Sequence, residues 1–399
     1  MDGTSEPDPS DARGGEEASA PGEVEVSDDT PTDEFDLEEA FAGLDVGAVK
    51  PILDLIENVW PTAQSKAEKA FSRFPMKFAR FRVERELGRG GFGVVFEAYD
   101  PLLGRNVALK LPRSEVILTP GMADRFYAEA RASAGLSHPN VVQVHEAGEF
   151  GPTCYIVSEL CDGPNLRDWL AARTELVAPQ DAARFVLALA DAVAYAQRLG
   201  VLHRDIKPSN ILMAKPPRAR DFAGESIASV LGVIPKLSDF GLAKMLEEES
   251  THTPAGTVVG TPEYMAPEQA EGRVEAINES TDVYGLGTVL YEVLVGRPAI
   301  EGTTAVDKLR RVLVQDPTDP RRRRRDIPRD LEAIVLRCLR KDSRDRYANA
   351  QELADDLRRF LAGRPTQARP LQLGQKVWKW VARHPSESSL IGVVSLFVG

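Results

Sequence analysis

Gly88, Gly90 and Gly93 interrupt a stretch, residues 81–100, that otherwise alternates apolar and polar side chains, so a glycine-rich turn is expected between two strands. The run reads Leu87, Gly88, Arg89, Gly90, Gly91, Phe92, Gly93, Val94, Val95. Where side chains are missing, backbone N–H groups can come close to a phosphate. The same glycine spacing opens dinucleotide-binding folds, but there a helix follows, whereas here residues 94–99 continue as strand.

A further short β-like run covers residues 106–111, and beyond Gly163 the apolar spacing becomes helical, at 181–199, 282–295, 331–339 and 351–361. Strands come first and helices later, which predicts an α+β architecture with a small β-rich part followed by a larger α-helical one.

Four further motifs follow in order: Val107-Ala108-Leu109-Lys110; His203-Arg204-Asp205-Ile206-Lys207-Pro208-Ser209-Asn210; Asp239-Phe240-Gly241; and Gly260-Thr261-Pro262-Glu263-Tyr264-Met265-Ala266-Pro267-Glu268. In this order they resemble the signature set of the protein kinases, in particular the bacterial Hanks-type (eukaryotic-like) serine/threonine kinases. The resemblance covers about residues 79–362 and implies a bilobal kinase fold and transfer of the ATP γ-phosphoryl group to Ser/Thr hydroxyls of proteins.

By that resemblance Lys110 holds the α- and β-phosphates and pairs with a Glu on the next helix, Glu129. Asp205 is the general base, Lys207 steadies the transferring group and favours Ser/Thr, and Asn210 and Asp239 offer hard oxygen ligands to Mg²⁺, with Mn²⁺ as a substitute. Leu87 through Val95 cover the nucleotide; backbone groups of Glu159 and Cys161 bind adenine between Val95, Ala108 and Leu212. Ser158 falls at the gatekeeper position, which implies a deep pocket behind the base. Glu268 is expected to pair with Arg346, and Asp282 to begin the helix that anchors the catalytic loop. A nucleotide-binding scaffold without catalysis is the alternative; loss of Lys110, Asp205, Asn210 or Asp239 would mark it, and all four are present.

Thr257, with Thr253 and Thr251 as competitors, is the expected autophosphorylation site, its phosphate gathered by Arg125, Arg204 and Lys244. Solvated, unmodified threonines are the other reading.

The charge is uneven: residues 1–49 hold 16 acidic side chains against one Arg, and the rest 48 basic against 45 acidic. Residues 1–47 are therefore expected to be an acidic disordered tail. The near-neutral remainder argues against nucleic acid as a partner, and the five arginines at 321–325 read as a solvated loop. Residues 48–78 read as a flanking helix that stops near Pro61, followed by a linker. The stretch 213–236 is long and has no assigned role. Three scattered cysteines, Cys154, Cys161 and Cys338, suit a reducing cytosol and no disulfide framework, and no signal peptide pattern opens the chain. Residues 363–389 form a basic, Trp-containing linker ahead of an apolar run at 390–399, a pattern expected of a membrane boundary that would hold the kinase at the inner face of the cell membrane. The run is shorter than the roughly 20 residues of a span, so it reads either as part of a membrane helix or as a packed segment.

Overall fold

The computed structural model describes residues 74–90, 93–112, 130, 133–151, 153–216, 231–240 and 261–369. The acidic tail, the helix expected before Pro61, Glu129, Gly91, Phe92, Gly241, the three threonines with Arg125 and Lys244, and residues 370–399 lie outside them.

The chain first builds a six-stranded antiparallel sheet from β1 (Met76–Phe78), β2 (Phe81–Gly90), β3 (Gly93–Asp100), β4 (Arg105–Pro112), β5 (Val144–Phe150) and β6 (Thr153–Glu159), in the order β1-β2-β3-β4-β6-β5. Alternation decides its faces. Val94, Phe96, Ala98, Val107, Leu109 and Leu111 are buried with Phe78, Phe81 and Tyr155, whose rings pack edge to face, and form one core. The residues between them, Val95, Ala108 and Lys110, are only half-buried on the opposite face, with Val95 directly across from Lys110.

Helices follow: α1 (Leu166–Ala171), α2 (Pro179–Arg198), a β7–β8 hairpin (Ile211–Ala214 and Ile234–Leu237), α3 (Pro267–Ala270), α4 (Glu279–Val295), α5 (Ala305–Val314), α6 (Pro320–Arg323), α7 (Arg329–Cys338) and α8 (Ala350–Leu361). Every residue of α4 from Ser280 to Leu294 is buried. A helix covered on all sides is the centre of its lobe, and α2, α7 and α8 pack around it. α4 begins three residues and α8 one residue before the apolar periodicity does, because polar caps start them: Asn278 accepts from Ser280 N, and Asn349 accepts from Glu352 N.

One expectation needs amendment. The arginine run is only partly a solvated loop: Arg322, Arg323 and Arg325 are exposed, but Arg321–Arg323 belong to α6, and Arg324 is mostly buried, donating to the Val177 and Leu294 carbonyls and to Asp326. Guanidinium groups suit this because one fork can serve two carbonyls and a carboxylate. The ends of the long 213–236 stretch are themselves the paired strands β7 and β8. Among the described residues, no helix is long and apolar enough to cross a membrane.

Candidate active site

The loop 201–210 is hung from the first turn of α4. Asp282 Oδ2 accepts from His203 N at 3.1 Å, and Oδ1 accepts from Arg204 N at 2.8 Å. This grip holds Arg204 at φ +65°, a left-handed conformation that a non-glycine residue adopts only when its surroundings impose it. Gly285, one turn on, lies against the same loop: a Cβ there would come within 2.8 Å of the Ile206 side chain. His203 is buried, its ring 4.5 Å from that of Phe240 and its Nε2 3.0 Å from the Ser238 carbonyl.

That anchoring presents three of the sequence-predicted residues together. Lys207 Nζ lies 2.7 Å from Asp205 Oδ2. Asn210 Nδ2 donates to both the carbonyl and Oδ2 of Asp205, each at 2.9 Å, so the amide is held by its nitrogen end. Asn210 and Asp239 are brought side by side by the hairpin, in which Ile211 faces Leu237, while Ser238 N and Oγ donate to the Asn210 carbonyl at 2.9 and 3.2 Å. Asp239 also sits at positive φ, +63°, and its Oδ1 is 2.5 Å from Lys110 Nζ on β4. Burial alone would raise the Asp239 carboxyl; the charge and hydrogen bond of Lys110 outweigh it and keep the carboxyl below its ordinary value. Carboxylate and amide oxygens at one mouth are a donor set suited to a hard divalent cation such as Mg²⁺ and unsuited to a soft one.

Around the cleft, Val95 and Ala108 occupy the half-buried face of the sheet, and Leu212 is half-buried on β7. Ser158, on β6, is across from Ala108. Gly88 and Arg89 lie on β2, where Gly90 faces Gly93 across the turn; Arg89 pairs with Glu86, and Leu87 is 39% exposed. The Glu159 side chain, which sequence reasoning left without a partner, is fixed by Lys236 at 2.6 Å and by Gln143 N at 2.8 Å, tying the strand end to β8. Burial pushes the Cys161 thiol up to about 12, so it stays protonated at neutral pH.

The expected Glu268–Arg346 pair is bidentate, both bonds 2.8 Å, and closed to solvent. Thr281 Oγ1 also donates to Glu268, and Arg346 further donates to the carbonyls of Ser280, Arg340 and Lys341. Three nearby contacts gave no sequence signal: Gln269 Nε2 donates to the Arg204 carbonyl at 2.7 Å, Tyr264 OH to Glu292 at 2.9 Å, and Lys308 to Glu263 at 2.9 Å. They lock residues 261–269 to the catalytic loop, α4 and α5.

The protein kinase domain family model matches residues 81–357. The serine/threonine-protein kinase PknB of Mycobacterium leprae is 35% identical over 293 residues, which cover 72% of this chain and 44% of that protein. The probable serine/threonine-protein kinase SCO3848 of Streptomyces coelicolor is 33% identical over 294 residues, covering 72% and 41%. This chain thus spans less than half the length of either relative. The crystal structure of the Mycobacterium tuberculosis PknI kinase domain has a TM-score of 0.55 at 24% identity, covering 71% of this chain and 97% of that one, a likeness of fold. Sheet, helical lobe and ordered motifs agree with these matches, and the chain belongs to the protein kinase family, in its bacterial eukaryotic-like serine/threonine branch.

Proposed function

We propose that this chain is an active kinase that transfers the γ-phosphoryl group of ATP to Ser or Thr hydroxyls of proteins. The observation that carries the reading is the meeting of Asp205, Lys207 and Asn210 on one anchored loop, with Asp239 and Lys110 paired at the same cleft. The acceptor oxygen forms its bond to the γ-phosphorus as the bond from that phosphorus to the β-γ bridging oxygen breaks, and ADP leaves. Asp205 takes the hydroxyl proton. Lys207, held beside that carboxylate, faces the charge of the transferring group. Asp239 and Asn210 would hold Mg²⁺, or Mn²⁺ in its place, which when bound would neutralise phosphate charge. Lys110 would turn from Asp239 to the phosphates, with Glu129 as its proposed partner. Leu87 through Val95 cover the triphosphate; the backbone at Glu159 and Cys161, with Val95, Ala108 and Leu212, holds adenine, and the small Ser158 leaves room behind it.

Thr257, Thr253 and Thr251 are the proposed autophosphorylation sites. The proposed setting is cytoplasmic, with a tether at the inner face of the membrane through residues 363–399; proteins, and no nucleic acid, are the proposed substrates. Incubation with γ-labelled ATP, Mg²⁺ and a peptide library carrying Ser, Thr or Tyr tests the reading. Label on Ser or Thr peptides and on residues 244–260 of the chain itself is expected. Label confined to Tyr peptides, or no label, contradicts it.

A further inference from the structure

The family match ends at residue 357, yet the chain stays bound to the helical lobe for another dozen residues. After α8, Gly363, at φ +64°, turns the backbone, and Arg364 N donates back to the Arg359 carbonyl. The following segment then lies against α8. Asp356, on the inner face of that helix and fully buried, accepts Gln367 N at 2.6 Å, Ala368 N at 3.0 Å and Tyr347 OH at 2.6 Å. Thr366 is buried beside it, and Arg369 pairs with Asp330 of α7 at 3.1 Å. A carboxylate taken out of water needs donors in water's place. Here two of these three donors come from outside the matched domain.

The far end of α8 touches the catalytic machinery through one side chain. Ala350 N, in the first turn, donates to Gln197 Oε1 at 2.9 Å. Gln197 Nε2 in turn donates to the Glu279 carbonyl at 3.0 Å and reaches Asp282 Oδ2 at 3.4 Å, the carboxylate from which the catalytic loop hangs. Gln197 is buried, so water cannot replace either contact.

We propose that residues 366–369 are a clasp, bound in cis by Asp356 and Asp330, which seats α8 and, through Gln197 as a positioning residue, sets the catalytic loop. The exit of the tether would then be part of the kinase's own architecture, and freeing the clasp would lower turnover without touching the nucleotide site. The effect on turnover rests on the kinase reading above; the binding of the clasp does not.

The full chain carrying Gln367→Pro and Ala368→Pro tests this, because proline removes both donors and leaves Asp356 and the helical core intact. In the unaltered chain, the Gln367 and Ala368 amides should resist hydrogen exchange. The proline variant should melt about 3 °C lower or more, and kcat should fall about 2- to 30-fold with KM for ATP unchanged. Gln197→Met should lower kcat in the same way, and the combined variant should lose less than the product of the two losses. Free exchange at both amides with an unaltered Tm overturns the clasp. A freed clasp with unchanged kcat, or losses that simply multiply, overturns the coupling. An unaltered chain that transfers no phosphate refutes the kinase reading instead, while exchange and melting still decide the clasp.

Discussion

Glu268 and Arg346 meet where their side chains are 4% and 0% exposed, while Lys110 and Asp239 meet with 13% and 35% of theirs in contact with solvent. The chemistry is the same, a carboxylate and a cation within hydrogen-bonding distance. The surroundings differ. Arg346 gives its remaining donors to three carbonyls and Glu268 accepts from Thr281, so nothing in that pair is left for another ligand. At the cleft, Asp239 sits beside Asn210 at the open end of a hairpin, where the proposed function has Lys110 give way to a metal and phosphates. One pair fixes Glu268, at the end of residues 261–269, to the helical lobe; the other, on the proposed reading, holds charged groups ready for the nucleotide.

Removing one partner from each pair separates the two roles. Arg346→Ala leaves a carboxylate buried without its cation and should cost about 3–5 kcal/mol in urea denaturation. Asp239→Asn, at the half-open pair, should change stability by less than about 1 kcal/mol while abolishing Mg²⁺-dependent ATP binding. Comparable losses of stability in both variants would break the comparison.

A smaller effect sharpens it. Burial acts to raise the Glu268 carboxyl, but the hydrogen bonds and charge of Arg346 prevail and hold it below the ordinary value of 4.5. A depressed carboxyl stabilises the folded state above its unfolded pKa, and that contribution is lost as pH falls through the lower folded value. The urea midpoint of the wild type should therefore drop below pH 4.5 more steeply than that of Glu268→Gln. Parallel curves would show that this pair does not set acid stability.

What was legible in the sequence follows the same division. Lys110, Asp205, Asn210 and Asp239 could be singled out because the chemistry allows few residue types at those positions and the motifs keep a fixed order. Glu268 and Arg346 were paired by family resemblance, 78 residues apart. Gln197, Gln269 and Lys236 were not found: each is an ordinary polar residue whose partner is a backbone group or a distant side chain, and nothing in its local sequence distinguishes it from a solvated one. Asp356 falls within the helical spacing at 351–361, but its hold on residues 367 and 368 depends on a turn at Gly363 that periodicity does not reveal. The arginine run misled for the converse reason. Five like charges suggest solvent, yet Arg324 donates to the Leu294 carbonyl in the last turn of α4 and is fixed from the other side by Asp326.

The central claim is that the cleft residues carry out phosphoryl transfer and do not merely bind nucleotide. Asp205 is the residue that separates the two, because it hydrogen-bonds within the loop but is proposed to act only on the acceptor proton. Single-turnover transfer from γ-labelled ATP, with Mg²⁺ and a saturating Ser/Thr substrate, should be about 10²- to 10⁴-fold slower in Asp205→Asn than in wild type, with Mg-ATP affinity retained. Transfer at the wild-type rate in that variant, or none from either protein despite tight Mg-ATP binding, would contradict the account.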